Sequence, residues 1–472
     1  MPADRPNVLL ITSEDNGPEL GCYGDPNPDT PHIDQLAREG VRFDESYCTQ
    51  AVCSPGRASI LTGLYPHENG QIGLTTHKYR MYEDITTLPT LLHEAGYRTG
   101  RLGKLHVAPE EDFAFDMAND PWGFAERDVR TRASNAREFM EDGDDPFFLM
   151  VNYRDAHLPW IDQYDGLPEE PMTPEEVTVP SAVGVETDRL QKQAAGYYNC
   201  LERLDAGIGM LLEALANAGH AEDTLVIYTA DHGSQFSRGK LTSYELGVRI
   251  PLIVRWPGVT EAGGVSTALT SQIDVMPTVL DAVGVAGPAS VSGKSLRPLL
   301  NGRGEPQWRD HLFTEWNASP TLCYPQRTVR NHRYKLIQNM RAGEENPSER
   351  YYSEGWNVDS GTQEVEIEAA APHVREAYKR WRCPPQFELY DLHTDPYEFH
   401  NLAQDPEYAE IRAELVRRLE RWQTETCDKL AQRDCLDHFI EEHEAALERP
   451  EKPRYDPEFE WEYADYLAPK ET

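Results

Sequence analysis

Residues 7–17 read NVLLITSEDNG, and this stretch decides the fold. Val8, Leu9, Leu10 and Ile11 are apolar without interruption, so no polar face alternates with an apolar one. Such a run buries both faces of a strand, as a parallel sheet covered by helices on each side requires. It stops at Ser13-Glu14-Asp15-Asn16-Gly17, a polar loop at the strand's carboxyl end, where ligands collect in open α/β sheets.

Outward from that strand, Thr30-Pro31 opens a helix that Gly40 stops. Residues 41–48 are strand-like, and Ser54-Pro55 starts a second helix ending at Gly63. Residues 88–96 form an amphipathic helix before a strand near 98–102, and PFFLMVNY (146–153) is a buried strand. Residues 187–219 are the longest helical stretch, with Leu201, Leu204, Ile208, Leu211 and Leu212 at helical spacing. Residues 224–229 and 251–254 read as buried strands, and 274–284 as a helix. This alternation predicts an α/β fold, a mostly parallel sheet sandwiched by helices. After about residue 301 the pattern changes: 313–316, 328–338 and 387–392 read as antiparallel strands, and 405–426 as an amphipathic helix. The expected organisation is a catalytic α/β domain over 1–310, a smaller C-terminal α+β subdomain over 311–435, and an acidic tail over 436–472. Trp461, Tyr463 and Tyr466 favour partial docking of that tail.

Composition narrows the function. The 472 residues carry 81 acids against 45 bases, a formal charge of −36. Nucleic acid and anionic membrane surfaces both call for a basic face, so neither is expected as a partner. No run of ~18 apolar residues occurs, so no membrane-spanning helix is expected. Ten lysines stand against 35 arginines, a balance that suits either high ionic strength or an ordinary acidic enzyme. Met1-Pro-Ala-Asp-Arg-Pro leads directly into the first strand without a leader-like apolar segment. A cytoplasmic protein is expected, or one whose leader has been removed. Eight cysteines form no CxxC pair, which excludes zinc-ribbon and thioredoxin readings and leaves buried thiols, Cys53 apart.

Residues 53–63 read CSPGRASILTG. A cysteine at a helix mouth has its thiolate favoured by the helix N-terminus, and a bare Cys-x-Pro-x-Arg core says little more. At full length the segment resembles the signature of the type I sulfatases. Further blocks follow in that family's order: Arg5-Pro-Asn-Val through Glu14-Asp15, Gly103-Lys104-Leu105-His106, Asp155-Ala156-His157, Ala230-Asp231-His232-Gly233 and Arg238-Gly239-Lys240. LGKLHVAPEEDFAFD, TLCYPQRTVRNHRYKLIQN and FELYDLHTDPYEFHNLAQDP are similar to the sulfamidase-like (N-sulfoglucosamine sulfohydrolase-like) members, so the resemblance extends from about residue 5 to about residue 428. Arg154 and the DAH segment depart from the His-Asp-Pro-His of those members.

The resemblance implies an alkaline-phosphatase-like fold. It also implies a nucleophile made by oxidising Cys53 to Cα-formylglycine with a dedicated maturation enzyme. It places one divalent cation on Glu14, Asp15, Cys53, Asp231 and His232, with Glu14 standing where the family has Asp. Ca²⁺ is the first expectation for hard oxygen donors, and His232 keeps Mg²⁺ and Mn²⁺ open. Arg57 would hold the formylglycine hydrate, and Lys104 and Lys240 would bind sulfate oxygens. His157 would protonate the leaving oxygen or nitrogen, with His106 assisting. Glu315, Arg327 and Arg330 would touch the sugar. The implied activity is hydrolysis of a sulfate ester or sulfamate on a sulfated sugar or related small molecule. Two other readings stay open: a phosphodiester or phosphonate monoester hydrolase of the same superfamily, and a non-catalytic glycan-binding pseudoenzyme. Oligomeric state is not implied.

Overall fold

Every residue of β1 (Asn7–Ser13) is buried, and its side chains divide between two cores. Leu9 and Ile11 enter one, Val8 and Leu10 the other. A strand covered on both faces must alternate in this way. The computed structural model describes residues 5–120, 127–301, 307–319, 322–355 and 357–468. In chain order β1 is followed by β2 (Val41–Phe43), β3 (Ser46–Tyr47), β4 (Arg98–Leu102), β5 (Met117–Asn119) and β6 (Phe147–Asn152). Then come β7 (Thr224–Ala230), β8 (Leu252–Arg255), β9 (Gly264–Ser266) and β10 (Thr270–Ser271).

Eight of these form one sheet in the order β5-β4-β6-β1-β7-β8-β2-β9, while β3 pairs with β10. The sheet is parallel except at β8, which runs antiparallel to both β7 and β2. Helices Pro31–Glu39, Val129–Glu141 and Asp188–Asn217 cover the face carrying Leu9 and Ile11. Helices Cys53–Thr62, Leu88–Glu94 and Val275–Val283 cover the other. The expected sandwich of a mostly parallel sheet between helices is therefore observed. The stretch 41–48 is not one strand: β2 joins the large sheet, and the chain then turns so that β3 joins β10.

The C-terminal part is built on an antiparallel sheet of β11 (Leu312–Ser319), β12 (Leu322–Arg330), β13 (Tyr334–Asn339) and β14 (Phe387–Asp391), in that order. The single strand expected over 328–338 is two strands of a hairpin. Asn331 Oδ1 accepts hydrogen bonds from the backbone N–H groups of Arg333 (2.9 Å) and Tyr334 (2.7 Å), which turns the chain. Val329, Leu336 and Leu389 pack under helix Ala409–Glu425 through Leu415, Leu419 and Trp422. Ile337 and Tyr390 belong instead to the main core, so the second sheet is seated on the first domain.

Helix Arg433–Glu448 runs across the expected boundary at 435/436. The acidic tail docks: Trp461 stacks on Tyr79 and His443 at ring distances of 4.8 and 4.5 Å, and Tyr463 is buried beside them. Among the described residues no helix is long and apolar enough to cross a membrane.

Candidate active site

β4, β6, β1 and β7 are neighbours in the sheet and run parallel, so the loops after them open on one edge. Those loops carry Lys104 and His106, Arg154 and His157, Glu14 and Asp15, and Asp231 and His232. Residues more than 200 positions apart in sequence are brought together by strand order alone. Asp15 (φ 51°) and His106 (φ 60°) sit in the left-handed region, a strained conformation for non-glycine residues that is concentrated at functional sites.

Helix Cys53–Thr62 lies with its first turn against the β7 loop. A Cβ on Gly56 would stand 2.4 Å from the Asp231 carbonyl oxygen, so only glycine permits this approach. Gln272 holds the same loop from behind, donating through Nε2 to the carbonyls of Ala230 (2.9 Å) and Asp231 (2.7 Å).

At the helix mouth Cys53 Sγ lies 3.4 Å from His232 Nε2 and 3.8 Å from Asp15 Oδ1. Asp231 completes a buried group of four whose ligand atoms all lie within 4.8 Å of one another. His232 Nδ1 is 2.9 Å from the Gly233 carbonyl, which accepts a hydrogen bond from Nδ1–H and leaves Nε2 facing the group. Two carboxylates, an imidazole and residue 53 fit a divalent cation. Glu14 is not brought into this set. Its carboxylate turns to Lys104, to Arg154 Nη1 at 3.0 Å and to Arg57 Nη2 at 3.5 Å.

Arg57 joins the loops. Its Nε donates to Asp231 Oδ2 (3.1 Å), and its Nη1 to Asn152 Oδ1 (2.9 Å) and the Lys104 carbonyl (3.0 Å). Lys240 Nζ contacts Asp15 Oδ2 at 2.8 Å and Cys53 Sγ at 3.4 Å. Burial alone would raise the Cys53 thiol, but Lys104 and Lys240 outweigh it and hold the thiol below its ordinary value. Burial opposes protonation of His232, yet Asp231 and Asp15 push it up to about 10. Burial dominates at His157 and brings it down to about 3; at His106 burial and Lys104 act in the same direction. His157 Nδ1 is 2.7 Å from the Leu158 carbonyl, and its Nε2 faces Asp15 Oδ2 at 3.9 Å.

Glu315, Arg327 and Arg330 are not brought to this cluster. Each is buried in ion pairs away from it: Glu315 with His67 (2.5 Å) and, at 4.0 Å, with Arg327; Arg327 with Asp428 (2.6 Å); and Arg330 with Glu45 and Glu245 (both 2.9 Å). Their physical setting is the interior around β11 and β12, where a charge has to find a partner. Asn152 and Gln272 were missing from the sequence reading. Asn152 ends the apolar run of β6, a polar residue at a carboxyl edge, and that is the signal that marks it. Gln272 has no such signal.

A family model described as Sulfatase matches residues 6–285, and one described as N-sulphoglucosamine sulphohydrolase, C-terminal, matches residues 235–349. The chain is 33% identical to N-sulphoglucosamine sulphohydrolase of Homo sapiens, over 89% of this chain and 90% of that protein. It is 26% identical to an N-acetylglucosamine-6-O-sulfatase of Bacteroides thetaiotaomicron, over 90% of this chain and 87% of the relative. A solved structure in complex with its substrate D-glucosamine-2-N,6-O-disulfate shares the fold, with a TM-score of 0.69 at 24% identity over 90% of this chain and 98% of that one. The match to the first model spans more than half of the chain, and the human relative is aligned almost end to end: the chain belongs to the sulfatase family.

Proposed function

We propose that this sulfatase removes sulfate from a sulfated sugar, as an ester or a sulfamate, with residue 53 as nucleophile after conversion to formylglycine. The observation that carries the reading is the meeting of Cys53 and Arg57 with Asp15, Asp231, His232, Lys104 and Lys240 at one strand edge. The relatives named above as acting on glucosamine sulfates support the sugar.

Formylglycine at 53, made by a maturation enzyme, would supply a hydrated-aldehyde hydroxyl as nucleophile. A divalent cation on Asp15, Asp231, His232 and residue 53, Ca²⁺ first with Mg²⁺ or Mn²⁺ as alternatives, would supply positive charge against the sulfate. The remaining work falls to the chain. Arg57 fixes the relative positions of the β1, β4, β6 and β7 loops. Lys104 and Lys240 set two ammonium groups beside the thiol position, where sulfate oxygens gain charge. His157 rests neutral with its Nε2 lone pair toward the site. An anionic sulfate beside Nε2 raises its proton affinity, so it takes up a proton as substrate binds and delivers it to the leaving oxygen or nitrogen. His106 lines the opposite loop as second donor or base.

The test pairs a mass with a rate. The peptide containing residue 53 is weighed for replacement of CH₂SH by CHO, and the same sample is assayed on p-nitrophenyl sulfate and p-nitrophenyl phosphate. We expect the lighter peptide and a clear preference for sulfate. A preference for phosphate would transfer the site to the phosphoester and phosphonate hydrolases of the superfamily. No turnover of either substrate by the converted protein would leave a glycan-binding role.

A further inference from the structure

The mechanism uses an oxidised side chain at 53, yet the sequence encodes a thiol, and that thiol stands among three other ligand atoms. Cys53 Sγ is 3.4 Å from His232 Nε2 and 3.8 Å from Asp15 Oδ1. His232 Nε2 is 3.1 Å from Asp15 Oδ1 and 3.8 Å from Asp231 Oδ1. Tetrahedral ligands at zinc bond lengths of about 2.0–2.3 Å lie about 3.3–3.7 Å apart. Four of the six donor–donor separations run from 3.1 to 3.8 Å and bracket that edge length, and all six stay within 4.8 Å, so the four donors can close on one ion.

The donor chemistry selects the ion. A thiolate and an imidazole are ligands of Zn²⁺ and its first-row neighbours, whereas Ca²⁺ and Mg²⁺ take oxygen. The surroundings already orient the donors. His232 Nδ1 is engaged by the Gly233 carbonyl, two backbone N–H groups pin Asp231 Oδ1 at 3.0 and 3.1 Å, and Arg57 holds Asp231 Oδ2 at 3.1 Å. Fixed cations face the anionic donors: Lys240 Nζ is 2.8 Å from Asp15 and 3.4 Å from Cys53, and Arg57 Nε is 3.1 Å from Asp231.

We propose that the thiol form of this chain is a transition-metal site, in which Cys53, His232, Asp15 and Asp231 bind one zinc-class dication. Conversion of Cys53 to formylglycine removes the sulfur and turns the same pocket toward hard cations. The second statement rests on the sulfatase reading; the first rests on the ligand geometry alone.

Full-length protein whose residue 53 is verified by mass as a thiol is titrated with Co²⁺ after chelator treatment. We expect one equivalent to give a thiolate-to-cobalt charge-transfer band in the near ultraviolet and strong tetrahedral bands in the visible. Equimolar Zn²⁺ should abolish both, and a large excess of Ca²⁺ should not. Cys53→Ser, close in size, should lose the ultraviolet band and weaken Co²⁺ binding by at least about tenfold while melting like the parent without metal. His232→Ala should weaken Co²⁺ binding as well. Absence of the ultraviolet band in the thiol form, its persistence in Cys53→Ser, or displacement of Co²⁺ by Ca²⁺ would each overturn the proposal. Failure of the converted protein to release sulfate would defeat the sulfatase reading and leave these spectra unchanged.

Discussion

A guanidinium shut away from water has to find acceptors for its N–H groups inside the protein. Arg57 finds the carboxylates of Asp231 and Glu14, the Asn152 side chain and the Lys104 carbonyl, and so ties four loops together. Lysine keeps the charge but offers a point donor on a flexible stem and cannot span these partners. Arg57→Lys is therefore expected to lower kcat/KM on p-nitrophenyl sulfate by about 10²-fold or more, the scale set by loss of one preorganised electrostatic contact. An unchanged kcat/KM would show that charge alone suffices. The same residue shows what was legible beforehand. Arg57, Asp15, Asp231 and His232 lie in motifs or just after apolar strands, where the sheet rule says to look. Glu14 has the same position but not the same direction: its carboxylate answers three cations, two of them in loops about 90 and 140 positions away, and no spacing rule reports that. Glu315 is harder still, because its partner His67 comes from a distant segment, and a buried ion pair looks in sequence like a charged surface residue.

At the scale of elements, the loop after β6 is held from outside the site. Asp155 accepts from Arg203 Nε (2.8 Å) and Nη2 (2.9 Å) on helix Asp188–Asn217, and also pairs with Arg127. Arg127 Nη2 donates to the carbonyls of His157 (2.8 Å) and Pro159 (2.7 Å), on either side of the turn that presents His157. Backbone bonds between Asp155 and Glu14, and between Ala156 and Glu14, fasten this loop to the β1 loop. Asp155 and Arg203 are thus positioning residues for His157. Arg203→Lys should keep the fold and reduce kcat more than it raises KM. The loss should be larger on a sulfamate than on p-nitrophenyl sulfate, because an amine leaves poorly without a proton. Equal losses on the two substrates would reduce the clamp to a structural role. Element existence was readable from periodicity, but direction and pairing were not. β8 is as apolar as the parallel strands of the sheet, and nothing in residues 251–254 says that it runs antiparallel to its neighbours β7 and β2. The β12–β13 turn is marked only by Asn331, whose side-chain acceptor makes a reversal in a stretch that otherwise reads as one strand.

For the whole molecule the formal charge of −36 has to be set against how the individual carboxyls titrate. Burial would raise Asp428 and Glu245, but Arg327 in the first case, and Arg330 with Lys335 in the second, bring both down to about 2. A carboxyl lowered in the folded state contributes stability that is present above its unfolded value and lost as pH falls through its folded one. Each shift corresponds to about 2 to 3 kcal/mol, lost between about pH 4.5 and pH 2. Since Glu245 meets Arg330 and Lys335 of the second sheet, this loss loosens the C-terminal part from the first domain. Asp205 and Glu19 go the other way: burial raises each to about 7. The folded state then holds protons that the unfolded chain releases, so their contribution is full below about pH 4 and lost as pH rises through 7. Growing self-repulsion of the acidic surface adds to that decline. The melting temperature should therefore climb steeply from pH 2, peak near about pH 5 and fall gently toward pH 8. Glu245→Gln should flatten the acid limb, Asp205→Asn the alkaline one, and added salt should lift the alkaline end by screening. A melting temperature constant from acid to neutral pH, or an alkaline limb identical in Asp205→Asn, would count against this assignment of the groups that control stability.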